Sequence, residues 1–175
     1  MEEGVAGVLI RRATQHDIAT IASVLAQAFV EYEPMYTREG FAATTPGANG
    51  VRKRIEEGPV WVALYNRRIV GTASVVSKPA GLYVRGMAAL PSARGLGVGH
   101  VLLVEIERFA ATHGYKRLFL STTPFLARAI RLYESFGFQC SSDGPQELFG
   151  TPLFTMEKLV QEDLTSQEGS PHAAS

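Results

Sequence analysis

Leu90-Pro91-Ser92-Ala93-Arg94-Gly95-Leu96-Gly97-Val98-Gly99-His100 is the stretch whose reading decides the fold. Three glycines alternate, an arginine precedes them, and an apolar run with helical spacing follows. Leu82 to Ala89, just upstream, is mostly apolar and of strand length. The local order is therefore strand, glycine-rich turn, helix. Glycine admits backbone conformations closed to other residues and lets a ligand come near the main chain. A helix opening at Val98 leaves its first N–H groups without intrahelical acceptors. Those donors, with the positive end of the helix dipole, make a site for phosphate. The physical expectation is a phosphate-bearing cofactor held by backbone at this turn.

Two common phosphate motifs do not fit. The dinucleotide fingerprint is G-x-G-x-x-G with an acid about 20 residues on. Here the glycines run G-x-G-x-G, and no acid ends a strand at that distance. The G-x-x-x-x-G-K-[ST] loop is absent, and the stretch has no lysine. The pattern resembles the acyl-CoA loop of the GNAT family of N-acetyltransferases, [QR]-x-x-G-x-[GA], through Arg94, Gly97 and Gly99. The fuller form P-x-x-R-G-x-G-V-G is matched from Pro91 to Gly99. Taken alone, this turn is also explained by tight strand–helix packing. A second motif, Ala129-Ile130-Arg131-Leu132-Tyr133-Glu134-Ser135-Phe136-Gly137-Phe138, resembles the family's A-x-x-L-Y-E-x-x-G-F. It stands one helix and one strand downstream, where the family has it.

The resemblance implies an α/β fold (α+β by some schemes). Its sheet is mixed and mostly antiparallel, with a splayed central parallel pair, and helices flank it. It implies acetyl-CoA as cofactor, CoA as product and an amine as acceptor. The turn amides of Arg94, Gly95, Leu96, Gly97, Val98, Gly99 and His100 would hold the pyrophosphate. In the family the central strand bulges and pantetheine enters the gap like an extra strand. That places backbone groups of Met87, Ala88 and Ala89 along it. At the family's matching position a tyrosine hydroxyl points at the cofactor sulfur, which makes Tyr133 the catalytic candidate. Arg128 and Arg131 lie near the cofactor path and are equally well read as surface arginines. Homodimers are common in the family, so a homodimer stays open, although no seam for one is visible in the sequence.

Composition bounds the rest. At 175 residues and 46% hydrophobic content, one domain with one real core is expected. The domain is taken as residues 1–160, followed by a polar, mobile tail at 161–175. Lys+Arg and Asp+Glu each count 17, and the absence of a basic excess argues against a general nucleic-acid binder. One cysteine, Cys140, excludes an internal disulfide and suits a reducing compartment. No apolar run approaches the ~20 residues of a membrane span. The start, Met1-Glu2-Glu3-Gly4, lacks the basic segment of a signal peptide, so a cytoplasmic protein with no membrane partner is expected. His16, His100, His113 and His172 are too scattered for a metal site.

In chain order, Gly7 to Arg12 reads as a first strand. Thr14 to Asp17 has the form of a capping box. Ile18, Ile21, Ala22, Leu25 and Phe29 then share one helical face. Glu31 to Gly50 reads as an irregular segment. The resemblance implies that the segment after the first helix lines the acceptor pocket, which makes Glu31, Tyr32, Glu33 and Tyr36 candidates for acceptor contacts; they are equally well read as a solvated loop with two packed tyrosines. A short helix over about Asn49 to Glu57 should carry Arg52, Lys53 and Arg54 on its wet side. Val60–Tyr65 and Ile69–Val76 are strands joined by a short hairpin, and Leu82–Ala89 continues the meander. A helix from Val98 ends near Gly114 and is followed by a strand around Leu118-Phe119-Leu120. Thr123-Pro124 reads as the cap and first residue of the next helix, and Cys140 as core. Gly150 and Pro152 interrupt the last strand region, and the resemblance implies that the loop near Asp143 borders the acceptor.

The chain departs from the family pattern at two positions. Leu126 stands where many members carry Asn seven residues before the tyrosine. Ser121 stands where some protein N-terminal acetyltransferases carry a glutamate base twelve residues before it. Glu33 is a weak substitute for that base and Glu31 a weaker one. Two other functions stay open. One is a non-catalytic acyl-CoA-binding module, and the other a dinucleotide-dependent oxidoreductase.

Overall fold

Val60 and Val62 turn to one side of their strand, Trp61 and Ala63 to the other, and the two sides join different cores. This two-residue period is the signature of a strand buried on both faces. In the computed structural model, which describes residues 7–162, the strand is β2 (Val60–Tyr65). Most of the tail expected from residue 161 lies outside the described residues.

Seven strands form the main sheet in the order β1-β2-β3-β4-β5-β9-β6. They are β1 (Leu9–Arg12), β2, β3 (Arg68–Lys78), β4 (Gly81–Ala89), β5 (Arg117–Thr122), β6 (Gln139–Ser141) and β9 (Phe154–Leu159). Every pairing is antiparallel except β4 with β5. The expected mixed sheet with one central parallel pair is the one found. Two short strands, β7 (Glu147–Leu148) and β8 (Thr151–Pro152), pair apart from it. Asn66 and Arg67 join β2 to β3 with φ of 49° and 63°, the left-handed geometry of a two-residue hairpin turn.

Helices cover both faces. On one side lie α1 (Ile18–Phe29) and α3 (Ala48–Glu57), with α2 (Arg38–Thr44) between them in the chain; Ile18, Ile21, Val24 and Leu25 of α1 meet Val51 of α3 over Val60, Val62 and Ala88. On the other side α4 (Val98–Thr112) buries Leu102, Leu103, Ile106 and Ala110 against Trp61, Val75 and Leu118. α5 (Ala127–Phe136) joins this second core through Tyr133. No helix among the described residues is long and apolar enough to cross a membrane.

The capping box is present: the Asp17 carboxylate accepts from Thr14 N–H at 2.8 Å, and the Thr14 hydroxyl accepts from His16 N–H. Arg11 donates two further bonds to Asp17, at 2.7 and 2.9 Å. Together they hold its carboxyl well below the usual range, at about 2, and burial opposes them.

Four expectations fail. Glu31 to Gly50 is mostly helical: a 3-10 turn over Val30–Met35 precedes α2 and the start of α3. α2 was hidden by its glycine and threonines, but Thr37 caps it by accepting from Gly40 N–H. α5 begins at Ala127, because Thr123 to Leu126 closes as a separate turn, with Leu126 N–H donating to the Thr123 carbonyl. Cys140 is exposed, since it lies in the edge strand β6. Arg54 is half-buried and is not on a wet face.

Candidate active site

The parallel pair is where the sheet opens. β4 and β5 are paired only at Leu82–Leu118 and Tyr83–Phe119, then separate. From Val84 onward the edge of β4 that faces β5 has no strand partner. On its other edge β4 carries a bulge: Ser74 pairs with Arg85 and Thr72 with Ala88, so β4 spends one residue more than β3 between the two pairs. Gly86 sits in the bulge with φ of +61°, a region costly for residues with a Cβ. A bulge re-aims the strand and increases its twist.

A cavity of about 350 Å³ occupies the opening. Met87, Ala88 and Ala89 of β4 line one side, and Ala129, Leu132 and Tyr133 of α5 line another. Tyr32 of the 3-10 turn and Tyr36 just after it line the cavity too, with Leu148 and Leu153 near the β7–β8 pair. Phe125 holds these tyrosines, with its ring centroid 4.9 Å from Tyr36 and 6.3 Å from Tyr32. Asp143, expected near the acceptor, does not line the cavity; it lies 3.8 Å from Arg117.

At one end of the opening stands the glycine-rich turn. Gly97 is the residue before α4 and has φ of +74°, and a Cβ at Gly95 or Gly97 would meet nothing within 4 Å. The N–H groups of Gly95, Gly97, Val98, Gly99 and His100 have no acceptor among the described residues. That row of free donors at a helix start is the arrangement anticipated for phosphate. Arg94 and Gly99 also line the cavity. Val98 and Leu96 contribute side chains to the core, so only their backbone faces the turn. His100 packs edge-on against Phe136 at 5.7 Å. Arg94 makes an ion pair with Glu31, which removes Glu31 from the free acids near the cavity.

Tyr133 is 8% exposed, and burial pushes its phenol well above the usual range. Its backbone is fixed by the end of α5: Phe138 N–H donates to the Tyr133 carbonyl and Gly137 N–H to the Glu134 carbonyl. This is the paired closure that a left-handed glycine permits, and Gly137 has φ of +106°. The phenol therefore remains a proton donor at neutral pH. Burial raises the Tyr36 phenol too, and the nearby Thr123 and Thr44 hydroxyls oppose that shift.

The structure thus brings Met87, Ala88, Ala89, Arg94, Gly99 and Tyr133 onto one cavity. Leu126 and Ser121, at the two positions that depart from the family pattern, line it as well. Arg128 borders it and Arg131 does not. Neither Glu31 nor Glu33 lines it; indeed none of its lining residues carries a carboxylate. Sequence reading missed Arg54, which lines the cavity from α3. The signal was its spacing, three residues after the buried Val51 and so on the same helical face.

The family model described as "Acetyltransferase (GNAT) family" matches residues 21–138, from within α1 past the end of α5. The uncharacterized N-acetyltransferase YjgM of Escherichia coli (strain K12) is 30% identical over 137 residues, covering 75% of this chain and 81% of that protein. The structure of YncA, a putative acetyltransferase from Salmonella typhimurium with its cofactor acetyl-CoA, superposes with a TM-score of 0.69 at 23% identity, covering 96% of this chain and 99% of that one. PaiA N-acetyltransferase from Thermoplasma acidophilum, in complex with coenzyme A, gives a TM-score of 0.71 at 16% identity, covering 87% and 99%.

Proposed function

The chain belongs to the acetyltransferase (GNAT) family, and from that premise we propose that it transfers acetyl from acetyl-CoA directly to a primary amine on a small molecule. Acetyl-CoA supplies a thioester whose C–S bond gives way to the amine's new C–N bond, so that sulfur ends as the CoA thiol and an amine proton passes to solvent. The free amides of Gly95 and of Gly97 through His100, with Arg94 and Leu96 completing the turn, bind the pyrophosphate. The open edge of β4 at Met87, Ala88 and Ala89 hydrogen-bonds and aligns the extended arm. Tyr133 donates a hydrogen bond from Oη to the leaving sulfur and passes its proton to it, and the phenol regains a proton from solvent, which balances the one the amine gives up. The small size of the cavity and the aromatic residues in its wall favour a small acceptor.

The observation that carries this reading is the continuity of the free turn amides, the unpartnered β4 edge and Tyr133 along one opening. An oxidoreductase of the doubly wound type is disfavoured, because its sheet is parallel and this one has a single parallel pair. We also propose the cytoplasm as the place of reaction, on the ground of a lone exposed thiol, which suits a reducing compartment; fractionation of cells tests this.

Thermal unfolding with acetyl-CoA, and separately with NADH, tests the cofactor. At 100 times its Kd, acetyl-CoA should stabilise the fold by about 2.7 kcal/mol, and NADH should not. Thiol release across a panel of primary amines tests the transfer. Binding of acetyl-CoA with no thiol release from any amine would leave a non-catalytic acyl-CoA-binding module.

A further inference from the structure

Arg54 is a charged group in the cavity wall that the transfer reaction does not use. It lies within α3, behind the β4 bulge, and its Nη1 stands 2.3 Å from where a Cβ on Gly86 would be. It lines the main cavity and also a small void behind it, walled by Ile21, Leu25 and Val60. No hydrogen-bond or ion-pair partner for it exists among the described residues. The carboxylate whose charge reaches it, Glu57, is already taken by Arg85 and lies 3.7 Å from Lys53. A half-buried guanidinium without an anion is costly, and such groups are normally paired. Burial and the nearby Arg85 charge lower its pKa to about 10, so it is still cationic at neutral pH.

We infer that Arg54 receives a carboxylate of the acceptor, and that the acceptor is an amino acid with an apolar or aromatic side chain. The inference rests on the acetyl-transfer reading for the reacting amine and goes beyond it in naming the acceptor's second group. Three observations support it. The charged residues that line the cavity are Arg54, Arg94 and Arg128, with no acid to receive a second cationic group. Of these, Arg94 is paired with Glu31 and Arg128 is exposed. Arg54 is adjacent to Gly86, one residue from Met87, so an anion bound there sits beside the β4 edge where transfer is proposed. The remaining wall of Phe29, Tyr32, Tyr36, Leu148 and Leu153 offers an apolar surface for a side chain. A guanidinium also suits a carboxylate geometrically, through two parallel N–H donors. Its positive charge disfavours a neighbouring ammonium and so eases loss of the amine proton where no carboxylate base lines the site.

The experiment compares matched acceptors in thiol release: phenylalanine, leucine and methionine against their amides and their decarboxylated amines. The acids should exceed both neutral series in kcat/KM by about ten- to a hundredfold, the range of a hydrogen-bonded charge pair. Arg54→Gln should erase that advantage, Arg54→Lys should restore part of it, and neither should move the KM for acetyl-CoA. Equal or better turnover of the decarboxylated amines by the unaltered protein overturns the inference, whatever the variants do. A second arm does not depend on turnover. Titration calorimetry of the CoA-loaded protein with N-acetylphenylalanine should show binding at least tenfold tighter than with N-acetylphenylalaninamide. Equal binding of the two, or no binding of either at millimolar concentration, also overturns it. If no amine releases thiol while the acid still binds preferentially, the transfer reading fails and the carboxylate site stands.

Discussion

Tyr133 and Arg54 show how differently two residues of one cavity are written in a sequence. Tyr133 is fixed by local chemistry: the helix that carries it ends at Gly137, and the motif around it has a recognisable order. Its hydroxyl is proposed to act on the sulfur alone, while its ring fills core space beside Phe138 at 5.8 Å. Tyr133→Phe keeps the ring and removes the proton. Steady-state kinetics should show kcat lowered about 10²-fold, with acetyl-CoA affinity unchanged within about twofold. Unaltered kcat would remove the role assigned to the hydroxyl. Because burial raises the phenol, Tyr133 should cause no alkaline fall in kcat below pH ~10, its ordinary ionisation range. Arg54 has no such motif. Its neighbours in the chain, Arg52 and Lys53, are exposed, and a basic run usually marks a solvated face. The bulge at Gly86, which makes room for its guanidinium, is a property of the strand pairing and lies far away in sequence.

Elements were legible where one local rule decided them. The capping box announced the 3-10 turn Gln15–Asp17 that runs directly into α1, the paired runs of β-formers announced β2 and β3, and Gly137 announced the end of α5. Asp17→Asn tests the first of these. Its carboxyl lies near 2 in the fold and near 3.9 in an unfolded chain, so its contribution is full above about pH 5 and is lost as pH falls toward 2. Denaturant unfolding should find the variant about 1–2 kcal/mol less stable at pH 7, with the gap closing across that acid window. An equal gap at pH 7 and pH 2.5 would mean that the cap acts through something other than the charge. Thr123-Pro124 misled because cap signals mark any turn that starts with a hydroxyl, and here the turn closes on itself before α5 begins. α2 was missed because seven residues with threonine and glycine carry little helical periodicity. For β4, Gly86→Ala adds a Cβ at positive φ and against the Arg54 guanidinium. We expect a loss of about 1–2 kcal/mol and a Tm lower by roughly 2–8 °C, read by calorimetry.

At the scale of the molecule the β2–β4 meander and the parallel step to β5 were legible, because strand, helix, strand leaves few topologies that bury both faces. The insertion of β9 between β5 and β6 was not, because no local pattern fixes which strand the last one pairs with. The cavity was less legible than the meander. Its walls include β4, α5, α3, the 3-10 region after α1 and the β7–β8 pair, and the last two are tied through Thr37, just past the 3-10 region, by contacts that span most of the chain. Thr37 N–H donates to the Thr151 hydroxyl at 2.9 Å, and the Thr37 hydroxyl to the Phe149 carbonyl at 2.8 Å. Such links have no periodicity to read. They do have a consequence: Thr151→Val removes the acceptor of a part-buried N–H, which costs about 1–3 kcal/mol in unfolding experiments. It should also raise the KM of the acceptor more than that of acetyl-CoA.

A sheet that parts in the middle is joined across the gap by very few rungs. The β1–β4 half and the β5–β9–β6 half meet through two residue pairs, Leu82–Leu118 and Tyr83–Phe119, and through the helices laid over them. Main-chain amides of β4 that face the gap are therefore sheltered by no neighbouring strand, although they sit at the centre of the fold. Deuterium should enter there at rates otherwise found at chain ends, far faster than into the flanking ladders of β3 and β9. An extended ligand laid in the gap would take the place of the missing strand. The central seam would then change from the quickest-exchanging part of the sheet to one of the slowest.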